Sequence, residues 1–139
     1  MRSIDNCWGD IDTFNCQYGA HIFDGSTLKI YVSHWLAVRV EMIELFSRRN
    51  EDGFVGHCIL VFDEVKNFTF EVRQYFERDG EVMWLDPVVY EHKGSGNGCF
   101  DKFSFEGSLR GFQSSVSINV EARKFCLQIL EKDEPVREE

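Results

Sequence analysis

Apolar and polar side chains alternate along most of the chain from residue 27 onward, which predicts strands rather than helices. In the first such segment the even positions Leu28, Ile30 and Val32 are apolar and their neighbours are mostly polar. A period of two places the apolar side chains on one face of a strand. We predict strands over residues 27–33 and 35–46, separated by a tight turn or bulge, because one unbroken strand would exceed the usual length.

Residues 35–48 allow a second interpretation. Trp35, Val38, Met42 and Leu45 fall at spacings of three and four residues, which is typical of an amphipathic helix. Arg39 would lie inside the apolar arc of that helix, and the β-branched side chains nearby suit a pleated sheet. The pattern therefore favours a strand, with a short helix near 35–48 as the alternative.

The rest of the chain continues the β pattern. Residues 57–62 are apolar on both faces, as in a strand covered on both sides, and residues 68–76 alternate as in a half-buried strand. Further strands are predicted over 81–90, broken or at a sheet edge because of Pro87, and over 103–107, 116–120 and 125–129. We therefore predict a mainly β fold, an antiparallel β-sandwich or open barrel of about seven to eight strands.

The organisation predicted from the sequence is a single domain over 1–139. Residues 1–24 are expected to form an irregular arm, in which one short helical turn is an option, and residues 25–130 form the β core. Residues 94–98, rich in glycine, predict a flexible hairpin loop. Residues 131–139 predict a solvated acidic tail.

Charge and composition narrow the function classes. The 139 residues include 24 acidic and 15 basic side chains, a formal net charge of −9. This balance argues against nucleic-acid binding, which depends on clustered lysine and arginine, and no apolar run is long enough for a membrane helix. Residues 1–24, 25–130 and 131–139 each carry a net −3. The N-terminal residues lack a secretory pattern, so we expect a cytoplasmic protein.

The chemistry-bearing residues do not form a recognisable catalytic or metal motif. The candidate ligands and nucleophiles are His21, Asp24, His34, His57, His92, Cys7, Cys16, Cys58, Cys99 and Cys126. His21 and Asp24 are three residues apart, but no second spaced pair completes a metal site. His57 and Cys58 are neighbours that would point to opposite faces of a strand, and the five cysteines, with no C-x-x-C, predict reduced thiols. We predict no metal, no cofactor and no enzymatic activity.

Two kinds of binding remain. A small acidic domain suits recognition of a basic protein partner, because complementary charge accelerates association. Alternatively, Trp35, Tyr75, Trp84 and Tyr90 are candidates for an aromatic platform that binds a small ligand or carbohydrate.

Three segments carry a family resemblance. They are His21-Ile22-Phe23-Asp24-Gly25, the stretch from Leu60 to Phe68, and Phe105-Glu106-Gly107-Ser108-Leu109. Over residues 20–130 the chain resembles small all-β proteins that are uncharacterised or serve as immunity proteins of bacterial polymorphic-toxin systems. The resemblance implies a cytoplasmic β-domain that binds and blocks a partner toxin without catalysis. It implies no particular functional residues, and it leaves the oligomeric state open.

Overall fold

The computed structural model describes residues 1–136 and confirms the mainly β fold, with 62% of residues in strands and 7% in helices. Two short 3-10 helices span Trp8–Asp10 and Val40–Leu45. The strands of this part of the chain are β1 Arg2–Asp5, β2 Ile11–Asp12, β3 Gln17–Phe23, β4 Leu28–His34, β5 Leu36–Val38, β6 Arg48–Arg49, β7 Phe54–Gly56, β8 Cys58–Arg78, β9 Glu81–Trp84, β10 Val88–Lys93, β11 Asp101–Leu109 and β12 Ser114–Ile129. Neither helix is long and apolar enough to cross a membrane.

The strands form one large and one small sheet. The large sheet has eight strands in the order β1-β12-β11-β3-β4-β8-β10, with β9 paired to β8, and the small sheet has the order β2-β5-β7-β6. An additional pairing of β12 with β8 closes β12, β11, β3, β4 and β8 into a ring, which we call the barrel. All pairings are antiparallel except the short one between β11 and β3, so the large sheet is mixed.

The two longest strands each merge two predicted strands. Of the predicted strand 57–62, residues 58–62 lie on the single 21-residue strand β8 together with residues 68–76, and residues 116–120 and 125–129 lie on β12. Opposite the Glu121/Ala122 step the register shifts, because Lys66 is an extra residue on β8. Such a bulge changes which of the alternate side chains face the core. In the sequence, the polar residues around the bulge therefore look like a turn between two strands.

Within residues 35–48 the predicted long strand is wrong beyond Val38. Trp35 has a φ of 70°, a left-handed conformation that redirects the chain before β5. Within the predicted strand 35–46 only Leu36–Val38 forms a strand, and Val40–Leu45 forms a 3-10 helix. Met42, Ile43 and Leu45 pack against the core from this helix. Their burial explains why the helical spacing was present in the sequence.

Residues 1–24 are more regular than the predicted irregular arm, and they contain the short helical turn that was predicted as an option. They contribute β1, which pairs with β12, and β3, which pairs with β4. Between them the short helix Trp8–Asp10 places the Trp8 ring 5.0–6.0 Å from the ring centres of four phenylalanines, Phe62, Phe103, Phe105 and Phe125. Edge-to-face packing of this kind stabilises an aromatic core beyond simple burial. Residues 1–24 thus supply the indole of this aromatic cluster, and its packing holds them against the core.

The glycine-rich segment 94–98 is a packed crossover rather than a flexible hairpin. It joins β10 to β11, which are not neighbours in the sheet. The Gly94 amide donates to the Lys66 carbonyl, and the Gly96 amide donates to the Val65 carbonyl. A Cβ atom on Gly94 or Gly96 would overlap the backbone of β8. Glycine is required there because two backbones approach closely.

The predicted acidic tail is described only up to Val136, and residues 137–139 lie outside the described residues. Most of 131–136 is exposed, as expected for a solvated segment. It is nevertheless attached to the core, because the Nε2 atom of His57 donates to the Glu134 carbonyl oxygen over 2.8 Å. Residues 131–136 are therefore mostly exposed to solvent but are hydrogen-bonded to the core.

Candidate functional site

Residues 71–93 form a segment that we call the ribbon: the last part of β8, then β9 and β10. Val72 pairs with Val88, and Tyr75 pairs with Trp84. Strand β12 accompanies β8 only as far as Gln74, so the ribbon beyond that point has two strands. Within residues 1–136, β10 pairs with β8 alone, which leaves its other edge without a neighbouring strand.

The ribbon is unusually apolar for an exposed segment. Among residues 1–136, 13 large hydrophobic side chains are exposed, and eight of them lie on the ribbon with 39–52% of their surface accessible. The eight are Phe76, Val82, Met83, Trp84, Leu85, Val88, Val89 and Tyr90. Single exposed apolar side chains are normal, whereas a contiguous group of this size is typical of an interaction surface.

The ribbon is also acidic. It carries six acidic and three basic side chains, whereas the other residues of 25–130 carry nine of each. The net −3 of residues 25–130 is therefore located entirely on the ribbon. An apolar surface and a concentrated negative charge occur on the same segment.

The two faces of the ribbon have different surroundings. On the outer face, Tyr75 and Trp84 pack with ring centres 4.8 Å apart, and the Arg73 guanidinium lies 5.1 Å from the Trp84 ring centre. Alternate residues of β8, including Phe70 and Val72, point the other way and line a cleft. We call this second face the inner face.

The cleft lies between the inner face, strand β3 and the turn after β11, and has a volume of about 680 Å³. Buried aromatic rings of Tyr18, Tyr31 and Phe70 contribute to its lining. The Tyr18 hydroxyl donates to the Glu106 carbonyl over 2.9 Å, and the Tyr31 hydroxyl lies 3.0 Å from the Nδ1 atom of His57. Since both hydroxyls already have partners, these two residues offer mainly ring surface to the cleft.

Arginine and histidine side chains enter the cleft from three elements, and Gln74 adds a polar group from β8. His21 comes from β3, His92 from β10, and Arg110 from the turn after β11. The His21 ring packs 4.4 Å from the Phe70 ring, and the His92 ring stacks on Phe68 at 4.8 Å. Desolvation and, secondarily, the nearby His92 lower the pKa of His21, although His21 keeps an exposed side. A neutral imidazole at this position can donate one hydrogen bond and accept another.

The four aromatic candidates from the sequence do not form one platform. Tyr75 and Trp84 meet on the outer face of the ribbon, whereas Tyr90 lines the cleft on the inner face. Trp35 is also exposed, but it packs elsewhere, against His34 and Phe54. The structure therefore brings Tyr75 and Trp84 together and places Trp35 and Tyr90 at two other positions.

Two further candidates, Asp24 and Cys58, have surroundings that indicate structural roles. The Asp24 carboxylate accepts hydrogen bonds from the amides of Ser26 and Thr27, which hold the turn between β3 and β4 and lower its pKa. Cys58 is fully buried, and desolvation raises the pKa of its thiol. Among residues 1–136, no group of three or more histidine, cysteine or acidic side chains is placed to hold a metal ion.

The buried His57 has partners on both ring nitrogens. A carbonyl oxygen only accepts, so the Nε2 atom that contacts Glu134 carries a proton. In the neutral imidazole, Nδ1 then accepts the hydrogen bond from the Tyr31 hydroxyl. These contacts make His57 a structural link between the barrel and residues 131–136.

Sequence reasoning missed the cleft because its lining comes from six separate segments of the chain. One local signal was present: Gly19 and Ala20 interrupt the alternation of β3, where the pairing with β4 shifts register. Bulges of this kind are common beside binding sites because they change the direction of side chains. Comparisons of the chain with protein-family models, curated proteins and solved structures gave no match.

Proposed function

We propose that this protein is a non-enzymatic cytoplasmic interaction domain that binds a basic protein partner through the outer face and free edge of the ribbon. The specific form of the proposal is an immunity-type inhibitor that blocks a toxin. The observation that carries it is that the ribbon combines exposed apolar side chains, of which Trp84 and Val89 lie on the outer face, with all the net negative charge of residues 25–130.

Burial of the ribbon would supply the driving force for association. Apolar surface removed from water contributes about 25 cal/mol per Å² before the costs of association are subtracted. The large aromatic pair Tyr75 and Trp84, with Arg73 packed on the indole, is of the composition that dominates binding energy at protein interfaces.

The backbone of the ribbon offers a second kind of contact. The edge of β10 from Val88 to Lys93 has no neighbouring strand within the described chain. An exposed apolar edge strand readily accepts a strand from another protein, and backbone hydrogen bonds then add to side-chain contacts. A two-stranded tip is also only marginally stable alone, so a partner would stabilise it.

Charge favours a basic partner over a second copy of the same chain. Two ribbons brought together would each contribute a net −3, and the repulsion would oppose the apolar attraction. A basic partner is attracted instead, which raises the association rate at low salt. The resemblance to immunity proteins agrees with this choice, and the five free cysteines support a reducing compartment such as the cytoplasm.

The test begins by capturing partners from the native host with the full chain, identifying them, and purifying the basic candidates. Their affinity is then measured for the wild type and for a ribbon variant carrying Trp84→Ser and Val89→Ser. The matched control carries Phe14→Ser and Val40→Ser, two side chains outside the ribbon that are 72% and 76% exposed. We expect the ribbon variant to bind at least about tenfold more weakly and the control to change less than about twofold.

The outcomes of this test distinguish a basic protein partner from a second copy of the chain. Binding of a purified basic partner that is weakened by the ribbon variant and by added salt supports the proposal. Equal binding by the ribbon variant and the control contradicts it. Sedimentation equilibrium that shows a dimer of the wild type, lost in the ribbon variant, would assign the surface to a second copy and overturn the proposal of a basic partner.

A further inference from the structure

We propose that the cleft on the inner face of the ribbon binds a small amphipathic anion, a ligand with an aromatic or similarly apolar body and one anionic group. This goes beyond the proposed function, because the protein partner would bind the outer face and free edge. The volume of about 680 Å³ lies within the range of roughly 300 to 1,000 Å³ that is usual for small-molecule sites.

The lining accounts for the apolar body of the ligand. Phe70 and the rings of Tyr18 and Tyr31 are buried there, and Val72 and Leu109 add aliphatic surface. Tyr90 and Phe112 lie at the same cleft with more than half of their surface exposed. Flat apolar groups gain from stacking between such rings as well as from leaving water.

The charge of the lining accounts for the anion. The protein has 24 acidic side chains among 139 residues, yet none of those within residues 1–136 lines this cleft. Within residues 1–136 its charged and titratable side chains, apart from tyrosines, are Arg110, His21 and His92. None of these three has a hydrogen-bonding or ion-pair partner within residues 1–136 for its side chain. A guanidinium without a carboxylate partner is suited to a carboxylate, sulfonate or phosphate.

The turn that carries Arg110 is fixed by the backbone before any ligand is present. The Arg110 amide donates to the Tyr18 carbonyl over 2.7 Å, next to the parallel pairing of β11 with β3. The Ser114 hydroxyl accepts from the Leu109 amide over 2.9 Å and donates to the Phe112 carbonyl over 3.1 Å. A backbone held in this way reduces the entropy lost on binding.

The bulge in β3 shapes the cleft from the other side. A Cβ atom on Gly19 would lie 3.0 Å from the Tyr31 ring, so the glycine permits the ring to lie against the β3 backbone. Ala20, the next residue, also lines the cleft with only a methyl group. Two small residues at the bulge therefore leave the space that a larger pair would fill.

The experiment uses two fluorescent probes that share an aromatic body. One is the anion 8-anilinonaphthalene-1-sulfonate, and the other is the uncharged N-phenyl-1-naphthylamine. Each is titrated into the full chain and into Arg110→Gln, with Arg49→Gln as the control, because Arg49 is an exposed arginine on β6 and does not line the cleft. Tyr90→Ser tests the wall of the cleft, and Trp84→Ser tests the outer face.

We expect saturable binding of the sulfonate at one site. Arg110→Gln should weaken the sulfonate about tenfold and the neutral probe less than about twofold, because only the sulfonate forms a charge-assisted hydrogen bond. Tyr90→Ser should weaken both probes, and Arg49→Gln should weaken neither. Near-ultraviolet circular dichroism of each variant checks that the fold is retained.

Three results would overturn the inference. One is sulfonate binding that does not saturate, and another is an equal loss for Arg110→Gln and Arg49→Gln, which would indicate a general effect of charge. The third is a larger loss with Trp84→Ser than with Tyr90→Ser, which would place the probe on the outer face of the ribbon. If Arg110→Gln does not fold, Arg110→Lys is measured in its place. It keeps the positive charge and should retain most of the preference for the sulfonate over the neutral probe.

Discussion

The two parts of strand β8 have different surroundings. From Cys58 to Phe70 the strand lies in the barrel, and most of its apolar side chains are buried. From Glu71 to Arg78 it belongs to the ribbon, and no side chain on it is buried. The comparison teaches that alternation along a strand predicts the existence of two faces, but it does not predict whether anything covers them.

The neighbours of β8 explain the difference. Strand β4 pairs with it only from Cys58 to Phe62, and β10 takes the same side from Asn67 onward. Strand β4 continues into the closed barrel, whereas β10 ends the sheet. The first half therefore has a closed core on one face, and the second half has the cleft on one face and solvent on the other.

The largest expected difference between the halves is in amide hydrogen exchange. Amides of Leu60 and Phe62 lie in the barrel and should exchange only when most of the protein unfolds, whereas those of Phe76 and Glu77 are in the two-stranded tip. We expect the barrel amides to exchange at least about a thousandfold more slowly, measured by nuclear magnetic resonance at constant pH. Similar protection in both halves would mean that the ribbon folds as part of the barrel unit.

A matched pair of phenylalanines on β8 tests the same contrast energetically. Phe62 is fully buried against Trp8, Phe103, Phe105 and Phe125, whereas Phe76 is 39% exposed. Phe62→Ala should lower the free energy of unfolding by about 3–5 kcal/mol, because it leaves a cavity in the aromatic cluster. Phe76→Ala should cost less than about 1 kcal/mol. Urea denaturation measures both, and equal losses would contradict the division of β8.

The sequence predicted the fold class and most strand positions, because alternation and turn residues are local signals. Strand β4 matches the predicted strand over 27–33 within one or two residues, and Pro87 breaks the 81–90 segment as predicted. The continuity of β8 across Asp63 and Glu64 was not predictable in this way. A bulge and a turn both place polar residues between apolar runs, and only the pairing with β12 distinguishes them.

The candidate site was predictable only in its residue types. Trp84 and Tyr90 were candidates because they are large aromatics, but their placement on opposite faces depends on how β9 and β10 pair with β8. His92 contributes to the lowered pKa of His21 because the fold brings together two segments about 70 residues apart in the sequence. Long-range pairings of this kind leave no periodic signal in a single sequence.

The crossover segment 94–98, which packs on β8 at Glu64, Val65 and Lys66, gives a smaller effect. Gly96→Ala places a Cβ atom against the backbone of Glu64 and Val65, so one of two packed backbones must shift. We expect a loss of about 1–3 kcal/mol in the free energy of unfolding, as for other overpacked sites. Gly9→Ala is the control, because its Cβ atom would meet no atom within 4 Å. Equal stability of the two variants would show that β8 or the crossover shifts at little energetic cost to relieve the contact.

The smallest expected effect is a pH dependence at the cleft between the halves. Desolvation and His92 lower the pKa of His21 from its ordinary value of 6.5, so the unfolded chain takes up a proton at a higher pH than the folded protein does. The free energy of unfolding should therefore fall as the pH drops below about 6.5 and stop changing on this account below the lowered pKa of His21. The other groups that face His21 are Phe68 and Phe70 on β8, which do not titrate, and Arg110 lines the same cleft with a constant charge.

His21→Gln should flatten part of this slope, because His34 also has a pKa lowered by desolvation and contributes in the same direction. The direct measurement is the titration of the His21 ring protons by nuclear magnetic resonance. Its midpoint should lie below 6.5 in the wild type and rise in His92→Gln, which removes the charge repulsion but leaves the packing on Phe70. A midpoint unaffected by His92→Gln would mean that β3 and β10 do not approach each other in solution, and the cleft between barrel and ribbon would then be open on that side.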